Sequence, residues 1–330
     1  MPIVGIDVSK GRLDCAAVAR DTGKVLGKRS FANGREGVDS LLSWMRRLPG
    51  ASEAGILAVV EATASYHELA AHGAFAAGMD VSVVNPARVR SFASGIGILN
   101  KTDGVDALAL AHYGRLANPT RWRPSAPDVA ELQALLSRLD AIEADLRREE
   151  NRFEQARARV CPEAVSLSFV ESIRTLKAQR CTLERAIAAH LDASDMLRGD
   201  MRQLLTIPAV GPKTAARMLV LLRSRHFESA RQAAAFLGLV PVARQSGKSV
   251  QGRPHLSKAG SPHLRAALYM AAVVATKLNP DVRAQQARLL GRGKTKMSAL
   301  GAAMRKMVHL CFGVLKSGSD YRTPEFAQPA

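Results

Sequence analysis

Apolar and polar positions alternate in two distinct rhythms along this chain, strand-like at first and helical later. Residues 3–9 form a short apolar run that carries Asp7. Residues 13–20 and 24–32 have the composition of two further strands, and Asp21-Thr22-Gly23 between them is a hairpin turn signal. A helical stretch at 35–47, an apolar strand at 56–62, a helix at 65–77 and a strand at 80–84 follow. Asn85-Pro86 then breaks the chain. Three meander strands followed by alternating helices and strands predict a mixed sheet with helices packed against it. That order matches the ribonuclease H-like architecture, so the fold class expected is α/β plus α.

Beyond residue 127 the rhythm is helical. Leu132, Leu135, Leu139, Ile142, Leu146 and Phe153 fall on a heptad seam, Pro162 interrupts, and Phe169, Ile173, Leu176, Leu183 and Ile187 resume the spacing. Two long helices are expected, as an antiparallel coiled coil, as a pairing with another protomer, or as a plain helical hairpin within one chain. Residues 200–315 read as mostly helical, interrupted by a polar, glycine-bearing loop at 241–263. The domains expected are an α/β domain at 1–127, a helical coiled-coil connector at 128–199, a helical domain at 200–317 and a flexible tail at 318–330.

Charge changes the picture. The net charge is +18, and a surplus this large attracts polyanions. Residues 200–330 hold 21 basic and 5 acidic side chains, whereas 128–199 hold 11 and 13, so the excess is concentrated in the last segment. The four cysteines (Cys15, Cys161, Cys181, Cys311) form no CxxC pair, which argues against zinc and against a disulfide framework. With neither a signal-peptide pattern nor an apolar run of about 18 residues, a cytoplasmic protein is expected.

Four carboxylates stand out. Asp7 lies within an apolar strand, where a charge is costly unless paired. Glu61 ends the apolar run 57–60, and Asp103 and Asp106 stand three apart at the start of a predicted helix, on one face. Hard oxygen ligands at neighbouring strand ends suit Mg²⁺, and two such ions can stabilise the attacking and leaving oxygens of phosphoryl transfer. Taken singly, Asp103 also fits a helix N-cap and Asp7 an ion pair with Lys10 or Lys101.

Residues 204–216 (LLTIPAVGPKTAA) resemble a helix-hairpin-helix, a turn that presents backbone N–H groups to a DNA phosphate. An ordinary two-helix turn has the same outline. Residues 241–253 contain serines, glycines and bases but no acid, as suits a phosphate-contact loop or a serine nucleophile flanked by cations. Ser257 to Arg265 opens a helix with basic flanks and reads as backbone contact. The residues offered to nucleic acid are Lys101, Pro208, Gly211, Lys213, Thr214, Arg244, Lys248, Arg253, Lys258 and Arg265.

These stretches carry a family likeness. Gly5-Ile6-Asp7-Val8-Ser9-Lys10, Glu61-Ala62-Thr63, Val84-Asn85-Pro86, Asn100 to Asp106, Ile207 to Ala215, and Ser257-Lys258-Ala259-Gly260 with Leu264-Arg265 resemble, in order and spacing, an IS-one-ten family insertion-sequence transposase of the DEDD type. The resemblance implies a RuvC-like N-terminal domain whose four acids, here Asp7, Glu61, Asp103 and Asp106, bind Mg²⁺, two ions being expected and Mn²⁺ able to substitute. It implies a catalytic serine, here Ser246, linked through phosphate to DNA. A structured bridge RNA pairing with donor and target DNA is implied as well. So are a homo-oligomer (dimer or tetramer) and a place at the prokaryotic nucleoid. A RuvC-like junction nuclease that uses water is the alternative. Ala64 and Ala209 stand where the family often has glycine.

Overall fold

The computed structural model describes residues 1–51, 55–98, 103–242, 245–246, 250–251 and 254–322, with only the backbone of Asp103, Gln245, Ser246, Val250 and Gln251. The chain divides into two compact units, Met1–Pro124 and Ser125–Ala330.

The first unit is built on strands β1 (Pro2–Val8), β2 (Arg12–Ala19) and β3 (Val25–Ala32), helix α1 (Arg35–Arg46), strand β4 (Leu57–Glu61), helix α2 (Glu68–Ala76) and strand β5 (Asp80–Val84). All seven elements were predicted, within a few residues. The sheet order is β3-β2-β1-β4-β5. β1, β2 and β3 pair antiparallel, while β1, β4 and β5 run parallel. Alternation along β1 and β4 sorts side chains to two faces. Val4, Ile6, Ala58 and Val60 pack with Leu41, Met45, Ala70 and Ala74 of α1 and α2. Ile3, Leu57 and Val59 pack with Val89, Leu110 and Ala111, from helices α3 (Pro86–Gly95) and α4 (Asp103–Ala117).

Helix α3 was not foreseen, because Asn85-Pro86 reads as a chain break. The pair instead starts a helix. The Asn85 side chain accepts from the Ala87 N–H at 2.8 Å, and Pro86 takes a first-turn position that needs no N–H.

The second unit opens with α5 (Pro127–Arg157) and α6 (Glu163–Ala193), an antiparallel hairpin. His190 near the end of α6 bonds the Asp128 carbonyl at the start of α5 (2.7 Å), and Lys177 pairs with Glu150 at 3.1 Å. Leu132, Leu139, Ile142 and Leu146 of the expected seam are buried, but on α6 only Ile187 is. Helices α7 (Asp195–Leu205), α8 (Pro212–Arg223) and α9 (Ala230–Phe236) follow. Strands β6 (Pro241–Val242), β7 (Gln245–Ser246), β8 (Val250–Gln251) and β9 (His255–Leu256) come next, then helices α10 (Pro262–Leu278), α11 (Pro280–Gly291) and α12 (Lys296–Ser317). One core, including Leu204, Leu219, Leu268 and Met307, joins these helices to the base of α5. Past α12, the described residues 318–322 include one anchored side chain, Tyr321. The Tyr321 N–H donates to Thr206 Oγ1 at 2.8 Å and its hydroxyl to Asp281 at 2.9 Å, an anchoring that a tail without periodicity does not advertise.

Candidate active site: an acidic sheet edge and a serine arm

Asp7 and Glu61 leave adjacent parallel strands at the same end. Ile6 is the partner of Val60, so the next residues, Asp7 and Glu61, share a sheet face. That face is the one α4 covers. A Cβ added to Gly114 would stand 2.9 Å from the Ile3 side chain, and one added to Gly5 would stand 2.1 Å from the Ala107 carbonyl oxygen and 2.5 Å from the Ala111 nitrogen. Helix α4 therefore runs antiparallel to β1 in backbone contact. From Ile3 to Gly5 the strand advances about 6.6 Å, while the helix retreats from Gly114 to near residue 109, about 7.5 Å. Two more strand residues reach Asp7, and the matching step along α4 reaches its first turn. Asp103 and Asp106 lie on that turn.

Asp7, Glu61 and Asp106 are half-buried, and the Asp103 side chain lies outside the described residues. Among the described residues no three His, Cys, Asp or Glu side chains are close enough to hold a metal ion. The donor set is nevertheless all carboxylate oxygen, which fits a hard divalent ion better than a soft one.

Sequence reasoning missed a fifth carboxylate. Asp14 is the direct cross-strand partner of Asp7 and is 7% exposed. Like charges placed so are destabilising, and here a local counter-charge answers them. Arg12 donates to Asp14 Oδ1 through Nε (2.9 Å) and Nη2 (2.6 Å), and Ser30 Oγ donates at 2.5 Å. The field of the pair reaches further. Burial first, then Asp14 and Asp7, push the neighbouring Cys15 thiol far above its usual range. The alternation Arg12-x-Asp14 across a hairpin from Asp7 was the available signal.

The second unit carries Ser246 on an arm rather than in a loop. β6 pairs antiparallel with β9, and beyond them β7 pairs antiparallel with β8, Ser246 facing Val250. Residues 247–249, between these two, lie outside the described residues. The registers of the two ladders differ by one residue. Valine and leucine at 242, 250 and 256 give the stretch strand character that its glycines and serines mask.

The expected nucleic-acid contacts fall into three groups. Lys101, Arg244, Lys248 and Arg253 lie outside the described residues. Gly211, Lys213 and Lys258 are exposed, and Pro208 is half-buried. Gly211 is the N-cap of α8, and Lys213 is drawn toward Glu143 (2.7 Å) and Glu184 (3.6 Å). Thr214 is buried at 9% exposure, within the α8 face that joins the core. Arg265 donates to three carbonyl oxygens of its own unit. Thr214 falls on the side of α8 that faces the core, whereas Arg265 is half-buried and bonds the segment just before its own helix. Ala64 (φ 44°) and Ala209 (φ 75°) hold left-handed backbone, which explains why glycine suits both positions.

An acid-edged mixed sheet and a cation-rich helical unit with a serine-tipped arm define a protein that handles nucleic acid. A transposase family model matches residues 4–162, and that of the Transposase IS116/IS110/IS902 family matches residues 201–287. The pilin gene-inverting protein of Moraxella bovis is 30% identical over 96% of this chain and 97% of its own length. An uncharacterised 43.6 kDa protein of insertion element IS110 from Streptomyces coelicolor is 31% identical over 47% of this chain and 38% of its own. Thermus thermophilus RuvC, solved with a Holliday junction substrate, superposes on 37% of this chain and 99% of its own with a TM-score of 0.28 and 19% identity. The chain belongs to the IS110 family and is a transposase, an enzyme that recombines DNA. No helix among the described residues is long and apolar enough to cross a membrane.

Proposed function

We propose that this transposase cuts and rejoins donor and target DNA through a covalent Ser246–phosphodiester intermediate, with Asp7, Glu61, Asp103 and Asp106 holding Mg²⁺. The observation that supports the metal half of this reading is the close seating of α4 on β1, because the first turn of α4 carries Asp103 and Asp106 and the neighbouring strand ends carry Asp7 and Glu61. Asp7, Glu61, Asp103 and Asp106 would hold the ion, which when bound would supply positive charge to the reacting phosphate oxygens. The carboxylates orient the ion, and Arg12 keeps Asp14 neutralised beside them. The Ser246 oxygen forms a bond to phosphorus as its proton leaves, and the bond to the displaced sugar oxygen breaks as that oxygen takes up a proton. Rejoining reverses these steps on a second strand. The ester keeps the phosphodiester bond energy, so no ATP is needed.

A bridge RNA selects both DNAs in this reading, and the basic residues 200–322 are its natural docking surface alongside DNA. A homo-oligomer, dimer or tetramer, is supported by the outer end of the α5–α6 hairpin, where Val160 (99%), Leu167 (61%) and Val170 (49%) are exposed.

The test is covalent trapping. Protein, Mg²⁺, element-end DNA, a target and the adjoining noncoding RNA are combined and resolved on denaturing gels. A protein–DNA adduct in the wild type, lost in Ser246→Ala and in Asp7→Asn with DNA binding retained, is expected. Cleavage without any adduct, indifferent to Ser246→Ala, makes the protein a water-using, RuvC-like nuclease instead.

A further inference from the structure

Two motifs that read as nucleic-acid contacts, Ser257-Lys258-Ala259-Gly260 and Leu264-Arg265, form one device at the root of the serine arm. The chain leaves α9 through Gly238 to enter β6, and it returns from β9 through Ser257 and Gly260 to α10. The two limbs cross backbone to backbone. The Ser257 N–H donates to the Val240 carbonyl at 3.0 Å, and the Lys258 N–H to that of Gly238 at 3.2 Å. A Cβ on Gly238 would stand 2.3 Å from the Ala259 nitrogen, and one on Gly260 would stand 2.3 Å from the Phe236 carbonyl oxygen. Gly238 (φ 72°), Lys258 (φ 55°) and Gly260 (φ 76°) all hold left-handed backbone. Arg265 closes the crossing. Its Nη1 donates to the carbonyls of Ala259 (2.7 Å) and Gly260 (2.9 Å) on the returning limb and reaches that of Leu237 (3.5 Å) on the outgoing one.

We infer that Arg265 is a positioning residue: its guanidinium ties the two limbs at their root and so fixes the direction in which the arm carries Ser246. The inference rests on the serine reading above. Ser246 is eight residues beyond Gly238, a reach of about 26 Å if extended. A root rotation of about 5° swings such a tip by about 2 Å, and a misplacement of about 1 Å can cost about 10²-fold in rate. All three contacts use one nitrogen, Nη1, so the whole tie hangs on where that atom is held.

The test uses the full chain with Mg²⁺, end DNA, target and noncoding RNA, comparing wild type, Arg265→Ala and Arg265→Lys. Lysine keeps the charge on a side chain too short to put its nitrogen where Nη1 stands, and it keeps the experiment decisive if the alanine variant does not fold. Three quantities are read: hydrogen exchange at the Ser257 and Lys258 amides, the rate of adduct formation, and nucleic-acid affinity against salt. In Arg265→Ala, faster exchange at both amides and an adduct rate lower by about 10²-fold are expected, with wild-type affinity and salt slope. Arg265→Lys falls between. Unchanged exchange overturns the clamp. So does weakened affinity with a salt slope smaller by about 0.9, which marks a phosphate contact. If wild type itself forms no adduct, the serine reading fails, whereas the exchange measurement still decides whether Arg265 holds the arm's root.

Discussion

Replacing Gly5 by alanine tests how the acidic site is assembled. The new methyl carbon would stand 2.1 Å from the Ala107 carbonyl oxygen, 2.5 Å from the Ala111 nitrogen and 2.8 Å from Leu110 Cβ. Two of these are backbone atoms of α4, so no side-chain rotation relieves them. An ordinary contact needs more than about 3 Å, so the helix must move off the sheet by about 1 Å. Overpacking of this kind costs about 1–3 kcal/mol, offset by about 0.5–1 kcal/mol because alanine loses less freedom on folding than glycine. For a unit of 124 residues the net effect is a drop of a few degrees, about 5 °C, in melting temperature. Activity falls further, because the same movement carries the first turn of α4 away from Asp7 and Glu61, and about 1 Å there is worth about 10²-fold. Gly104→Ala is the control: it lies on the same turn, and no atom of the described residues stands within 4 Å of its new methyl group. Melting curves and Mg²⁺-dependent strand cleavage are measured on both. Gly5→Ala with wild-type stability and cleavage would refute the seating of α4 on β1 as the source of the site.

Other expectations follow from single features. Ala209→Gly removes a left-handed strain of about 1–2 kcal/mol against about 0.5–1 kcal/mol of added chain entropy, so chemical denaturation of the helical unit shows a small gain in stability; a loss contradicts the strain. His309 has its pKa lowered by burial, then by Arg305, Lys306 and Arg231, and His112 by burial, then by Arg115. Their unfolded forms bind protons more readily, so stability is full above about pH 6.5 and is lost as pH falls through and below that value; His309→Asn flattens this slope in melting temperature against pH, and an unchanged slope removes His309 as a source. Nucleic-acid affinity, followed by anisotropy from 50 to 200 mM salt, falls by about 10³-fold or more if the basic unit makes six or more phosphate contacts; a flat profile contradicts that role.

The sheet was legible because strands buried on both faces are written as apolar runs and the hairpin turn as Asp-Thr-Gly. The α5–α6 hairpin was legible from its heptad spacing. What was not legible depends on partners distant in sequence. Pro86 reads as a breaker until Asn85 is seen capping α3. Asp14, like Asp7, is a charge inside an apolar run, but only register sets the two side by side. Arg265 and Thr214 look like cations and hydroxyls for DNA, and only packing reveals that one holds backbone carbonyls and the other lies in the core. The acids Asp7 and Glu61 could be picked out because charge inside an apolar run is conspicuous, whereas the closeness of α4 that unites them with its first turn hangs on Gly5 and Gly114, which carry no chemical signature.

The contact between Tyr321 and Thr206 spans 115 positions along the chain. Thr206 begins the turn between α7 and α8, and the Tyr321 hydroxyl also meets Asn279 (3.4 Å), whose amide reaches the Pro208 carbonyl (3.4 Å). A ribosome moving at about 5–20 residues per second needs on the order of ten seconds to cover that distance. For most of that interval both helices of the turn have been made but this tie has not. The nascent helical unit thus remains unfastened until synthesis has passed residue 321, well after Ser246 has been made.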